Sequence, residues 1–152
     1  MNIRELRTDE PIPMNLLLLA DPSENMIGSY IHRSMLLAAE TDHGFIGIAA
    51  MSLTKPQTLE VFNIAVDENH QGQGIGRALM NGVIRKAQEL HCKYVELGTG
   101  NSSLDQLGWY QKLGFRIVGV ETDFFTNHYE EPIAENGILC VDMIRMRLGL
   151  GS

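Results

Sequence analysis

Residues 66 to 80 read VDENHQGQGIGRALM. Polar residues from Asp67 to Gln71 follow an apolar run, Gly72, Gly74 and Gly76 then alternate, and a helical pattern begins. Glycine lacks the Cβ that keeps a ligand off the backbone, and it tolerates positive φ. A loop between strand and helix also presents backbone N–H groups and the positive end of the helix dipole. Successive N–H groups in such a turn form a nest for an anion. The chemistry to expect is phosphate or pyrophosphate binding; the competing reading is a glycine-rich turn that serves close packing. The spacing differs from the G-x-G-x-x-G dinucleotide fingerprint, and no Lys-Ser/Thr follows as in a Walker A loop.

These glycines need a strand before them and a helix after them. Thr58 to Val66 (TLEVFNIAV) is rich in β-branched and aromatic residues and reads as the best strand of the chain. From Gly76 to His91 the residues Leu79, Met80, Val83, Ile84, Ala87 and Leu90 share one helical face. Upstream, Asn2 to Arg7 reads as a strand and Ile12 to Ala20 as a short helix. Asp21-Pro22-Ser23 breaks that helix, and a second is expected from Pro22 to about Ile31. Ser34 to Glu40 and Phe45 to Leu53 form a hairpin about Thr41-Asp42-His43-Gly44, and Lys55-Pro56-Gln57 turns into the strand at Thr58. Downstream, Lys93 to Leu97 is a short strand. Ser103 and Gln106 have the spacing of a capping box for a helix that runs to Leu113 and stops at Gly114. Phe115 to Val120 is a strand, 123 to 137 a long loop, and Ile138 to Leu148 a long final strand that could pair with Phe115 to Val120. The tail Gly149-Leu150-Gly151-Ser152 is expected to be loose. The order predicts one α/β domain over residues 1–152, built on a mixed sheet.

Composition narrows the partners. The 152 residues carry a formal net charge of -7. Nucleic-acid binding needs a basic footprint, so it is not expected. Acidity could favour cationic substrates or serve solubility alone. Cys92 and Cys140 show no ligand spacing and read as free thiols in a reducing compartment. His32, His43, His70, His91 and His128 show no ligand pairing, so no metal is expected. The longest apolar run, Leu16 to Ala20, is too short to span a bilayer. MNIRELRTDE lacks the apolar core of a signal peptide, which makes the cytoplasm the expected location.

Gln71-Gly72-Gln73-Gly74-Ile75-Gly76 resembles the Q/R-x-x-G-x-G/A signature of the GCN5-related N-acetyltransferases, the GNAT family. Trp109-Tyr110-Gln111-Lys112-Leu113-Gly114-Phe115 resembles the family's later Y-x-K-x-G-F element, and the order of elements matches across essentially the whole chain. The resemblance implies a single-domain, mostly antiparallel twisted sheet flanked by helices, with a splayed central strand pair. It implies acetyl-CoA as co-substrate and a primary amine as acceptor, joined in a ternary complex. Backbone N–H groups of Gln71, Gly72, Gln73, Gly74, Ile75 and Gly76, with Arg77, would hold the pyrophosphate. Ile64, Ala65 and Val66 would pair with pantetheine as an added strand does. Asn101, read as opening the following helix, would bond the pantetheine amides, or is a plain turn asparagine.

By the same resemblance Tyr110 is the acid that protonates the departing thiolate, since a phenol of pKa roughly 10 keeps its proton at neutral pH. Glu60 is the base. By the period of two, residues 60, 62, 64 and 66 share one face of the strand. A backbone N–H near Ala65 or Val66 is the expected oxyanion donor. Acceptor choice would lie with Met14 to Ser34 and Asp123 to Gly137. Phe124, Phe125, His128, Tyr129, Glu130 and Glu131 there read as a pocket for a cation, a packed loop or a homodimer contact. A coenzyme A-binding sensor without activity is the alternative on the same fold.

Overall fold

The computed structural model describes residues 1–151. Nine strands and five α-helices follow in chain order: β1 (Asn2–Glu5), α1 (Met14–Ala20), α2 (Glu24–Tyr30), β2 (Met35–Thr41), β3 (Gly44–Lys55), β4 (Thr58–Val66), α3 (Ile75–Glu89), β5 (Tyr94–Gly100), α4 (Leu104–Lys112), β6 (Arg116–Glu121), α5 (Phe124–His128), β7 (Ala134–Glu135), β8 (Ile138–Leu139) and β9 (Met143–Gly149). Seven strands form one sheet in the order β1-β2-β3-β4-β5-β9-β6. All neighbours are antiparallel except β4 and β5. One apolar core lies between the sheet and α3 and α4, with Leu79, Met80, Val83, Leu97 and Met146 at its centre. A second lies beneath α1 and α2, around Leu17, Ile27 and Ile48.

The parallel pair opens as expected. β4 and β5 are in register from Thr58 with Tyr94 to Val61 with Leu97, and no further. Beyond that point β4 stays with β3, while Gly98 to Gly100 stay with β9. The strands part at a bulge. Val61 faces Met51 and Asn63 faces Ala50, which leaves Phe62 as the extra residue. A bulge sharpens local twist and bends its strand.

The bulge also overturns the shared face of residues 60, 62, 64 and 66. Ile64 and Val66 pack on the α3 core, whereas Phe62 and Ala65 pack on the α1–α2 core. Simple alternation fails because one residue is inserted between the two halves of the strand.

The C-terminal region departs further from expectation. The final strand is not continuous from Ile138: β8 pairs with β7 in a small hairpin, and β9 begins only at Met143. Asn101 marks the break, since its Oδ1 accepts from the backbone N–H of both Val141 and Asp142, at 2.8 and 2.9 Å. β9 lies between β5 and β6, so it does pair with β6. The long loop holds α5, one turn and a half of helix. The tail is tied as far as Leu150, whose N–H donates to the carbonyl of Lys93 at 2.9 Å. Ser152 lies outside the described residues.

Ser103 does precede α4, but without the capping bond: its hydroxyl donates to Glu135 Oε1 at 2.7 Å. The other end of α4 closes as the glycine requires. Gly114, at φ +104°, donates to the carbonyl of Gln111, and Phe115 to that of Tyr110, each at 3.0 Å. This is a Schellman closure with its apolar contact, the Phe115 ring lying edge-on to Tyr110 at 5.8 Å. It locks the orientation of the tyrosine.

Candidate active site

The glycine loop leads from β4 into α3. Asp67 accepts from the N–H of Asn69 at 3.2 Å and faces His70 Nδ1 at 2.8 Å, which turns the chain after the strand. Gln71 then folds back, its Nε2 donating to the Val66 carbonyl at 3.2 Å. Gly72 and Gly74 have φ of +78° and +81°, and no heavy atom stands within 4 Å of where a Cβ would sit on either. Gly74 caps α3, and the first helical bond is Ala78 N–H to Gly74 carbonyl. The N–H groups of Ile75, Gly76 and Arg77 precede that bond and have no helical acceptor. The loop therefore fits an anion: free donors, a helix dipole, and empty space over the glycines.

This loop is one end of a groove of about 910 Å³. Ile64, Val66, Gln71, Gly72, Gly74, Ile75, Gly76, Arg77 and Tyr110 line it. Arg77 and Lys112 bring positive charge to a protein of net charge -7. Trp109 packs over Gly76, where a Cβ would meet its ring at 3.5 Å. It stands on the groove wall with Lys112 and Gln106, where the sequence gives these three no binding role. Their signal was the helical spacing of Gln106, Trp109 and Lys112 around Tyr110. Gln73 is exposed and does not line the groove, and the Ala65 side chain points into the α1–α2 core.

A second cavity, of about 230 Å³, opens through the splay on the α1–α2 side. Gly98 and Gly100 of β5 make room in it; a Cβ on Gly98 would collide with Met143, and one on Gly100 would stand 2.6 Å from Cys140 Sγ. The two spaces share three residues, Ile64, Gln106 and Tyr110. Tyr110 is 8% exposed, and burial pushes its phenol up to about 12. It thus stays a hydrogen-bond donor at any physiological pH.

Asp21, Asn63 and Tyr129 line the second cavity; Tyr129 is among the residues the sequence offers for an acceptor pocket, whereas Asp21 and Asn63 are not singled out there. In the sequence Asp21 stands out only as a helix breaker. Asn63 carries a signal, a lone amide inside the apolar run from Val61 to Val66. The Tyr129 hydroxyl donates to Asp21 Oδ1 at 3.0 Å and so joins the segment after α5 to the α1–α2 turn. The two regions expected to choose the acceptor are therefore in contact.

Glu60 and Asn101 line neither space. Glu60 accepts from Thr54 Oγ1 at 3.1 Å and from Arg145 Nη1 at 3.2 Å. Asn101 does not open α4, which begins at Leu104; besides its two backbone donors, its Nδ2 donates to the Leu139 carbonyl at 3.1 Å. Both ends of its amide are bonded to the 139–142 segment. Among the described residues no three His, Cys, Asp or Glu side chains converge to hold a metal.

Comparison with known proteins agrees with this geometry. The model of the acetyltransferase (GNAT) family matches residues 3–115. The uncharacterized N-acetyltransferase YvbK of Bacillus subtilis (strain 168) is 44% identical over 155 residues, covering 99% of this chain and 100% of that protein. The crystal structure of a GNAT family acetyltransferase from Elizabethkingia anophelis with acetyl-CoA bound superposes with a TM-score of 0.93, at 44% identity over 97% of each chain. A Bacillus subtilis acetyltransferase in complex with CoA gives a TM-score of 0.88, at 43% identity over 97% of each chain.

Proposed function

This chain belongs to the GNAT acetyltransferase family and is an N-acetyltransferase, and from that premise we propose that it moves an acetyl group from acetyl-CoA to the primary amine of a small molecule or peptide by direct attack in one ternary complex. The observation that carries the reading is the meeting of groove and cavity at Ile64, Gln106 and Tyr110. Two substrates held in separate spaces meet there without leaving them, and holding both lowers the barrier by proximity.

Acetyl-CoA, when bound, supplies an acyl group already activated as a thioester. The backbone N–H groups from Gln71 to Gly76 and the start of α3, with Arg77, hold its pyrophosphate. The unpaired edge of β4 from Ile64 to Val66 bonds the pantetheine amides, and a backbone N–H near Ala65 or Val66 faces the carbonyl oxygen. Tyr110 keeps its proton until the leaving sulfur takes it. Glu60 accepts the amine's proton through water, since its carboxylate lines neither space. Asn101 acts by holding residues 139–142 against the acceptor cavity. The expected setting is the cytoplasm; among the described residues no helix is long and apolar enough to cross a membrane.

Thiol release from acetyl-CoA, measured across a panel of amines and peptides with mass analysis of the acceptor, tests the proposal. Turnover with at least one primary amine is expected. Tight acetyl-CoA binding with no thiol release for any acceptor would sink it.

A further inference from the structure

The acceptor cavity carries an unbalanced set of hydrogen-bonding groups. Asn63, 4% exposed, lies in β4 just past the bulge. Its Nδ2 donates to the Leu17 carbonyl at 2.9 Å and to the Tyr30 hydroxyl at 3.1 Å. A carbonyl can only accept, so the bond to Leu17 decides which way the amide faces. Asn63 Oδ1 is then left buried with no donor. Buried polar atoms without partners are rare and mark places where something else completes the bonding.

Asp21, 8% exposed, stands one hydroxyl away. The Tyr30 hydroxyl that receives Asn63 Nδ2 donates to Asp21 Oδ2 at 3.3 Å. The Tyr129 hydroxyl and the Ser23 N–H donate to Oδ1, at 3.0 and 3.2 Å. A carboxylate offers about four acceptor sites, so this one retains capacity after three bonds. Glu135 adds a second carboxylate to the lining, while no lysine, arginine or histidine among the described residues lines the cavity. Phe62, Phe125, Tyr110 and Tyr129 supply aromatic walls. Asn63 Oδ1 lacks a donor, Asp21 has room for one more, and the lining carries no positive charge; an ammonium, with three donors and no acceptor, supplies all of these.

The same nitrogen cannot serve this end and the reaction. Attack needs a neutral amine, whereas a carboxylate holds the protonated form. Asn63 and the α1–α2 turn lie on one face of the sheet, and Tyr110 belongs to the core of the other. The cavity passes between them through the splay. Its volume of about 230 Å³ lies below the range of about 300–1,000 Å³ typical of drug-sized ligands, so the acceptor that fills it is small.

We propose that Asp21 and Asn63 Oδ1 form a subsite for a protonated nitrogen of the acceptor, and that the preferred acceptor is a small diamine. One nitrogen is acetylated at the Tyr110 end while the other stays an ammonium between Asp21 and Asn63. The proposal rests on the acetyltransferase reading and names its substrate class.

The test compares 1,4-diaminobutane with butylamine and 4-amino-1-butanol, using wild type, Asp21→Asn and Asn63→Ala, with thermal melting and acetyl-CoA calorimetry as checks on folding. In wild type, kcat/KM for the diamine is expected to exceed that of both monoamines at least tenfold. Asp21→Asn, which keeps size and one carbonyl oxygen, is expected to lower the ratio of diamine to butylamine kcat/KM at least tenfold. Equal kcat/KM for diamine and butylamine in wild type overturns the proposal, as does an equal loss on both in Asp21→Asn. If no amine turns over, the acetyltransfer reading fails separately, and calorimetry of 1,4-diaminobutane on the CoA-loaded protein decides the subsite. Binding that Asp21→Asn weakens supports it, and absence of binding overturns it. Should Asn63→Ala not fold, Asp21→Asn carries the test alone.

Discussion

Oε2 of Glu60 lies 3.2 Å from Nη1 of Arg145, although a whole strand separates β4 from β9. Arg145 crosses β5 over Gly98, its register partner, where a Cβ would stand 3.0 Å from Nη1. Glu60 and Glu96 are register partners as well, two carboxylates side by side on neighbouring strands. Like charges so placed repel. Arg145 bridges them, with Nη2 at 3.6 Å from Glu96 Oε1. One arginine thus makes a charged candidate base compatible with a buried neighbour.

Glu60→Gln tests that carboxylate. As base it contributes on the order of 10²-fold to kcat, a factor that the amide variant loses. A kcat and pH–rate profile equal to wild type would leave it a purely structural partner of Arg145. Melting separates the two roles, because an ion pair of this partly exposed kind is worth only about 0–1 kcal/mol.

Tyr110→Phe is expected to lower kcat by roughly 10²-fold while the Kd for acetyl-CoA changes little, since only the proton on its way to sulfur is removed. Burial raises the phenol to about 12, so the protonated form persists as pH rises. In wild type, Tyr110 therefore contributes no alkaline limb to kcat through pH 10. A limb near 10 that vanishes in Tyr110→Phe would show a phenol not shifted by burial.

Gly74→Leu places a side chain over the loop and in a left-handed conformation, at φ +81°. The strain is about 1–2 kcal/mol, which the fold tolerates. Acetyl-CoA affinity by calorimetry is expected to fall more than 100-fold. Retained affinity would remove the loop from the pyrophosphate site.

Glu96→Gln addresses stability. Its carboxyl is 2% exposed, and burial alone would raise its pKa. Hydrogen bonds from Lys55 (2.9 Å) and Arg147 (2.8 Å) outweigh burial and hold it below the usual carboxylate range. A carboxylate lowered in the folded state stabilises above its unfolded pKa of about 4.3, and that stability is lost as pH falls through the folded value. Glu10, held at about 2 by its hydrogen bonds from Arg4, then from the Arg7 backbone N–H, acts in the same direction. Glu96→Gln is expected to lose about 1–3 kcal/mol at pH 7. Melting followed from pH 7 to 3 should show a shallower decline than wild type.

Asn101→Ala removes three bonds to residues 139–142. The acceptor KM is expected to rise at least fivefold with acetyl-CoA affinity nearly unchanged. The opposite pattern would place the amide on pantetheine.

The glycine loop, α3, the tyrosine and its Schellman closure were legible in the chain because each is a local event. Glycine tolerates positive φ wherever it stands, an apolar face repeats at helical spacing, and Gly114 stops a helix within one turn. The split of the last strand was not legible, because Asn101 makes it from some 40 residues away. Nor was the reversal of faces along β4: periodicity of two assumes that no residue is inserted, and the bulge at Phe62 depends on how β3 pairs.

By itself, then, the sequence determined the glycine loop, the tyrosine motif and the family to which they belong, and it pointed to two regions that could choose an acceptor. Tertiary structure alone decided which of their side chains meet around the second cavity. Asp21, Asn63, Tyr30 and Tyr129 come from a turn, a strand, a helix and a loop, and Tyr129 lies 108 positions beyond Asp21. No local pattern records their meeting. A backbone nest is encoded by neighbours in the chain, whereas a pocket of side chains exists only once the sheet has parted and the layers have closed on either face.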